Sequence, residues 1–184
     1  MARIAVVGGG PAGLSAALFL AKNDQEAVVF DTDDTWLHKA HLFNYLGIES
    51  MDGSEYVETA REQVDDFGAE RHSVSVESVA ADGDAFSVTT ADGDVHAADY
   101  VVLATGADRE LAEDLGCAFD EDVVDVDVTM ETSVENAYAT GAMVRAEEWQ
   151  AIISAGDGAA AALNVLTKEK GEHFHDFDTP ADAE

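Results

Sequence analysis

Residues 3–17 read Arg-Ile-Ala-Val-Val-Gly-Gly-Gly-Pro-Ala-Gly-Leu-Ser-Ala-Ala. Arg3 to Val7 form a short, mostly apolar run, which predicts a buried strand. Gly8, Gly10 and Gly13 complete a G-x-G-x-x-G turn. Leu14, Ala17, Leu18 and Ala21 then recur at helical spacing. Strand, glycine turn and helix in that order open a βαβ dinucleotide site. Gly8 allows the tight turn, Gly10 leaves no Cβ between backbone and a pyrophosphate, and Gly13 lets helix and strand approach closely. Phosphates would meet the free N–H groups at the helix start, around Pro11 and Ala12, where the dipole favours negative charge. Pro11 suits that first turn because its missing N–H costs little there.

Glu26–Phe30 reads as the second strand and ends at Asp31, 18 positions beyond Gly13. An acid about 20 residues beyond such a turn binds ribose hydroxyls. The alternative is that Asp31 caps a turn. Asp33 and Asp34 follow at once. They would repel a 2′-phosphate, which disfavours NADP.

Residues 35–52 are loop-rich and hold Trp36, His38, His41, Asn44, Tyr45 and Gly47. A helix is expected from Ser54, as N-cap, to about Phe67, closed by Gly68. Val74, Val76 and Val79 suggest a strand. Phe86–Thr90 and Val95–Asp99 flank Ala-Asp-Gly-Asp, a hairpin signal. Tyr100–Ala104 is an apolar strand ending in Ala104-Thr105-Gly106. Between 107 and 135, a short helix at 109–115 and strand-like valines at 123–128 are expected. Asn136–Thr140 is a last strand before Gly141 and Ala142, and 148–167 reads as a closing helix rich in alanine. The fold class is α/β, with a parallel sheet plus a small antiparallel meander. Residues 1–167 are expected to form one domain, and 168–184, with Pro180, a polar tail on the surface or disordered.

Hydrophobic residues make up 47% of the 184, enough for a sizeable core. No stretch reaches transmembrane length. The N-terminus runs straight into a strand, and the expected location is the cytoplasm. The single cysteine, Cys117, cannot form an internal disulfide framework. It sits in Leu-Gly-Cys-Ala-Phe and reads as a buried, inert thiol. The charge is extreme: 39 acidic residues against 9 Lys+Arg give −30. Nucleic acid and anionic membranes are poor partners for that surface. An acidic, lysine-poor chain over an ordinary core is similar to the proteins of salt-loving archaea. Salt shortens the range of self-repulsion, from about 10 Å at 0.1 M to about 3 Å at 1 M. The melting temperature is therefore expected to fall as KCl is lowered across that range. An unchanged value would speak against salt adaptation.

Four signals stand in one order: the glycine turn, Asp31, the hairpin leading into Ala104-Thr105-Gly106, and Tyr138-Ala-Thr-Gly141 before a small-residue helix. Together they resemble the FAD domain of thioredoxin-reductase-like flavoproteins, within the pyridine nucleotide–disulfide oxidoreductase superfamily. Asn44-Tyr45-Leu46-Gly47 resembles that family's Asn-Tyr-Pro-Gly segment. Asp66-Phe67-Gly68-Ala69-Glu70 resembles the end of its next helix, and Trp149-Gln150-Ala151 the Arg-Gln-Ala opening its last one. The resemblance implies a Rossmann-like FAD-binding domain with FAD as cofactor. It places His38, Lys39 and His41 near the ribityl and ring portions, with Lys39 either a phosphate or flavin contact or a solvated loop residue. It makes Asn44 a further candidate cofactor contact, and sets Gln150 and Ala151 where a helix N-terminus meets the ring.

Three departures limit what the resemblance implies. Tyr-Ala-Thr-Gly follows Ala-Thr-Gly within about 35 residues, too few for the family's inserted NAD(P)H domain. No Cys-x-x-Cys is present, so dithiol reduction is not available within one chain. Ala142 stands where the family has an acid after the glycine. His38 with His41, and His173 with His175, lack the further ligands that a structural metal site needs. The expected function is a single-domain flavoprotein, an oxidoreductase or electron carrier with an unknown donor or acceptor. The alternative is a dinucleotide-binding module without turnover, a sensor or subunit. A homodimer is expected, since a lone FAD domain exposes the surface another domain would cover.

Overall fold

The computed structural model describes residues 1–179; Pro180, placed in the tail above, lies outside them. The elements in chain order are β1 (Arg3–Val7), α1 (Pro11–Lys22), β2 (Glu26–Phe30), β3 (His41–Leu42), β4 (Met51–Asp52), α2 (Gly53–Asp66), β5 (Glu70–His72), β6 (Val76–Asp82), β7 (Ala85–Thr90), β8 (Val95–Ala98), β9 (Tyr100–Leu103), α3 (Glu110–Leu115), β10 (Phe119–Asp120), β11 (Val123–Val124), β12 (Ala137–Ala139) and α4 (Ala151–Lys170). The central sheet is five-stranded, in the order β12-β9-β1-β2-β5, and every pairing in it is parallel. A three-stranded antiparallel meander, β6-β7-β8, lies apart from it.

The inner strands β9, β1 and β2 are apolar apart from Arg3 and Glu26 at the starts of β1 and β2, because both faces are covered. Ile4 and Val6 of β1 join Leu14, Leu20, Val165 and Leu166 in one core. Ala5 and Val7 point the other way and join Phe86, Val88 and Met143 in a second. The same alternation divides β9: Tyr100 and Val102 face the first core, Val101 and Leu103 the second. The helices α1 and α4 thus cover one face and the meander the other.

All five strands run the same way, so their carboxyl ends share one edge. Gly8, Asp31, Ala104 and Thr140 directly follow β1, β2, β9 and β12. β1 lies between β2 and β9, so the chain leaves it on one side and later returns on the other. Ligands bind at such a reversal of strand order.

Several boundaries differ from the sequence reading. The cap of α2 is Asp52, whose carboxylate accepts from Ser54 N–H at 2.9 Å, not Ser54. A carboxylate outcompetes a hydroxyl at that position because it also complements the helix dipole. β5 gave no apolar signal, since Glu70, Arg71 and His72 form an edge strand. Of the valines at 123–128, only Val123 and Val124 form a strand, in a short hairpin with β10. The closing helix begins at Ala151 and runs on to Lys170, into the segment expected as tail. The chain then stays attached. Phe174 packs against the first core, and Lys22 pairs with Asp176 at 2.7 Å and Asp178 at 2.5 Å.

The alanine- and glycine-rich stretch of α4 packs on α1. A Cβ at Gly158 would lie 2.0 Å from the Ala12 carbonyl oxygen. That atom is backbone and cannot swing aside. Gly158→Ala is therefore expected to cost about 2 kcal/mol, the ordinary cost of overpacking. Urea unfolding in molar KCl checks it, and an unchanged midpoint would show that the helices separate freely.

Candidate functional site

At the shared carboxyl edge lies a cavity of about 970 Å³. Of the residues singled out from the sequence, Gly8, Gly10, Pro11, Ala12, Asp31, Asn44, Ala104, Thr105, Gly106, Gly141, Ala142, Gln150 and Ala151 line it. Gly13 and Lys39 are not among the lining residues. Gly13 is buried, and a Cβ there would meet the Gly8 carbonyl oxygen at 1.9 Å. Its role is helix–strand contact. Lys39 is exposed, at the end of a 3-10 turn spanning Trp36–Lys39. Lysine on an exposed turn keeps its ammonium in water.

The glycine turn divides its work among three residues. Gly8 has φ +117°, and a Cβ on it would lie 2.3 Å from the Ala104 carbonyl oxygen. Gly9 packs on Asp31: its Cβ would meet the carboxylate carbon at 2.0 Å. Gly10 is different, because only Thr35 Oγ1, at 3.5 Å, stands within van der Waals reach. A side chain at Gly10 would enter the cavity. The sequence pattern marks Gly8, Gly10 and Gly13; the requirement at Gly9 is visible only once Asp31 is in place.

Asp31 is buried, and a single partner neutralises its charge. Arg61, from α2, donates to its Oδ2 through Nε at 3.0 Å and Nη2 at 2.5 Å. Oδ1 accepts from Asp33 N–H at 2.8 Å. A carboxylate offers about four acceptor sites, so this one keeps capacity for a hydroxyl in the cavity it lines. Arg61 also reaches Asp33 at 2.6 Å. Arg61 first, then His38, holds the Asp33 carboxyl below its usual range. Sequence reading missed Arg61, since an arginine on an amphipathic helix 30 positions from its partner carries no local signal.

The two later loops are tied together. Thr140 Oγ1 donates to the Leu103 carbonyl at 3.0 Å. Arg109 donates to the carbonyls of Ala107, Ala142 and Met143, each at 3.0 Å. One guanidinium thus fixes the loop after β9 against the loop after β12. Arg145 pairs with the buried Asp157 at 2.6 Å, beneath the start of α4. Asn44 donates to Gln150 Oε1 at 2.7 Å, linking the loop before β4 to α4.

His38 is engaged by Ser54 and Asp33, each at 2.9 Å, and His41 by Ser50 at 2.9 Å. Among the described residues, no three His, Cys, Asp or Glu side chains are grouped to hold a metal. His173 and His175 are exposed on the segment after α4. Cys117 is 8% exposed, and burial pushes its thiol above the ordinary value. Alkylation by iodoacetamide at pH 8 is expected to be at least about tenfold slower than in the unfolded chain. Equal rates would show an open thiol. Among the described residues, no helix is long and apolar enough to cross a membrane.

The family profile described as pyridine nucleotide-disulphide oxidoreductase matches residues 2–74 and 58–159. The chain belongs to this family. Its curated relatives include thioredoxin reductases. The bifunctional thioredoxin reductase/thioredoxin of Mycobacterium leprae is 36% identical over 107 residues, covering 56% of this chain and 23% of that protein. The thioredoxin reductase of Listeria innocua is 26% identical over 168 residues, covering 90% of this chain and 50% of that one. The chain therefore spans between about a quarter and a half of the length of these relatives. Among solved structures, a thioredoxin reductase from Gloeobacter violaceus superposes with TM-score 0.86 at 18% identity, over 97% of this chain and 99% of that one. The atypical thioredoxin reductase from Desulfovibrio vulgaris Hildenborough gives 0.85 at 17%, over 94% and 99%. These likenesses show the same α/β fold. The chain is a thioredoxin-reductase-like member of an oxidoreductase family.

Proposed function

We propose that this chain is an FAD-binding oxidoreductase or electron carrier that does not itself reduce dithiols. One observation carries the reading. The glycine turn, the buried Asp31, Ala104-Thr105-Gly106 and the start of α4 all line a single cavity of about 970 Å³. Its residues fit a dinucleotide. The open Cβ direction at Gly10 leaves room for a pyrophosphate against the N-terminus of α1. Asp31 offers an acceptor oxygen for ribose hydroxyls. Ala104 to Gly106 and Gly141 to Ala142 bring backbone close to the same space. Gln150 and Ala151 place the N-terminus of α4 where the ring system would end. Bound there, the flavin supplies electron transfer, and the chain supplies binding and orientation.

Two features support a chain without the usual accompanying chemistry. The 31 residues between Gly106 and Tyr138 hold α3, the antiparallel β10–β11 hairpin and the start of β12, with no βαβ unit among them. Cys117, the one cysteine, packs in the second core and does not line the cavity. The electrons then come from a separate donor. A salt-rich cytoplasm and a homodimer complete the proposal. Light scattering in molar KCl tests the dimer, and a mass of one chain rejects it.

Titration with FAD, FMN, NAD and NADP in molar KCl tests the ligand assignment. FAD is expected to bind at least 100-fold more tightly than NADP, because Asp31 and Asp34 line the cavity and a 2′-phosphate would face them. Preference for NAD over FAD would overturn it. Photoreduction and reoxidation by ferricyanide then separates an electron carrier from a module that binds without turnover.

A further inference from the structure

Asp31 and the two later loops lie on opposite sides of the glycine turn. In the strand order β12-β9-β1-β2-β5, β2 carries Asp31 to one side of β1. β9 and β12 carry Ala104 to Gly106 and Gly141 to Ala142 to the other. The cavity spans both sides. In the dinucleotide reading, the ADP half of FAD uses the glycine turn and Asp31. The riboflavin half then lies over β9 and β12, toward Gln150 and Ala151.

The loops on that second side have little regular pairing between them. Thr140 N–H and Oγ1 both donate to the Leu103 carbonyl, each at 3.0 Å, where the strands end. Past that point, among the described residues, two side chains join the loops. One is Thr105, in a weak contact of its Oγ1 with Met143 Sδ at 3.8 Å. The other is Arg109. Its Nε donates to the Met143 carbonyl, Nη2 to that of Ala142 and Nη1 to that of Ala107, each at 3.0 Å. A longer contact, of 3.5 Å, reaches the Arg145 carbonyl. A guanidinium can do this because its donors point in several fixed directions from one plane.

Arg109 is also used differently from the other arginines. Arg3, Arg61, Arg71 and Arg145 each pair with a carboxylate. Arg109 pairs with none among the described residues, in a chain with 39 acidic residues. Its chain neighbours Asp108 and Glu110 line the cavity and leave it to the carbonyls. An arginine so placed forgoes the stronger bond to a carboxylate and gains fixed backbone at the cavity wall.

We infer that Arg109 is a positioning residue for the flavin half of the cofactor. It does not line the cavity, but Ala107 and Ala142 do, and it holds the backbone of both. Ala142 has no polar side chain to offer, so what it contributes depends on where its backbone is held. The inference rests on the flavin reading of the cavity.

Equilibrium dialysis with FAD and with ADP, in molar KCl, tests this on Arg109→Lys and Arg109→Met. Lysine keeps the charge and the stem, but its donors share one nitrogen and cannot span both loops. FAD is expected to bind each variant at least tenfold more weakly than the parent, with ADP within threefold. A general loss of structure would weaken both ligands together. The lysine variant decides the matter alone where the methionine variant does not fold. A smaller loss of FAD in Arg109→Lys overturns the inference. So does a loss of ADP beyond threefold in that variant, because Arg109 then supports the whole cavity and not its flavin half. A parent protein that binds ADP and refuses FAD sinks the flavin reading itself, and the inference with it.

Discussion

Gly10→Val is expected to lower FAD affinity at least about 100-fold, a loss of about 2.7 kcal/mol, while stability changes by no more than about 1 kcal/mol. The two halves of this result have separate causes. Gly10 has φ −86° and ψ −172°, an extended conformation that valine adopts without strain. Its Cβ would meet only Thr35 Oγ1, at 3.5 Å, so the fold has room for it. The branched side chain then fills the space where backbone must touch the pyrophosphate. Gly9→Val is the less informative variant, because its Cβ falls on the Asp31 carboxylate and would disturb the acid as well. Flavin absorbance per chain and a urea curve, both in molar KCl, read the two halves. Retention of stoichiometric flavin in Gly10→Val would show that the glycine turn is not the site.

The second large effect is on the fold. Arg61→Ala is expected to destabilise the protein by about 3 kcal/mol, since removing one partner leaves a buried charge uncompensated. The side chain of Asp31 is 7% exposed and that of Arg61 19%, so water replaces the guanidinium poorly. Asp31 would keep only the Asp33 N–H. The double variant Arg61→Ala with Asp31→Asn should recover part of the loss, because the unpaired charge is gone. Urea unfolding in molar KCl measures all three. A loss below about 0.5 kcal/mol for Arg61→Ala would mean that the pair is already solvated.

The parts of the fold legible in the sequence are those set by local chemistry. β9 throughout and β1 from Ile4 to Val7 are buried and read as apolar runs. The glycine turn and the Asp92-Gly93 hairpin carry backbone requirements written in single residues. The parts that were not legible depend on contacts distant in sequence. β5 exists because an edge position beside β2 tolerates charged residues. Gly158 is glycine because Ala12, almost 150 positions earlier in the chain, passes within 2.0 Å of where its Cβ would be. Arg61 and Arg109 act on partners that no local pattern predicts. The glycine turn, the acid and the later loops, each marked by its own local pattern, lie together on one edge of the sheet and line one cavity. For Lys39, of the two expectations, a cofactor contact or a solvated loop residue, the turn at Trp36–Lys39 presents the lysine to solvent and Trp36 to the cavity.

FAD in this cavity is tested by the visible spectrum of the protein purified in molar KCl and loaded with FAD, with chromatography of the cofactor released on unfolding. Flavin absorption bands are expected, with one FAD released per chain and no NAD or FMN. A colourless protein that takes up NAD and leaves FAD in solution would contradict it, and would move Asp31 to the ribose of a nicotinamide dinucleotide.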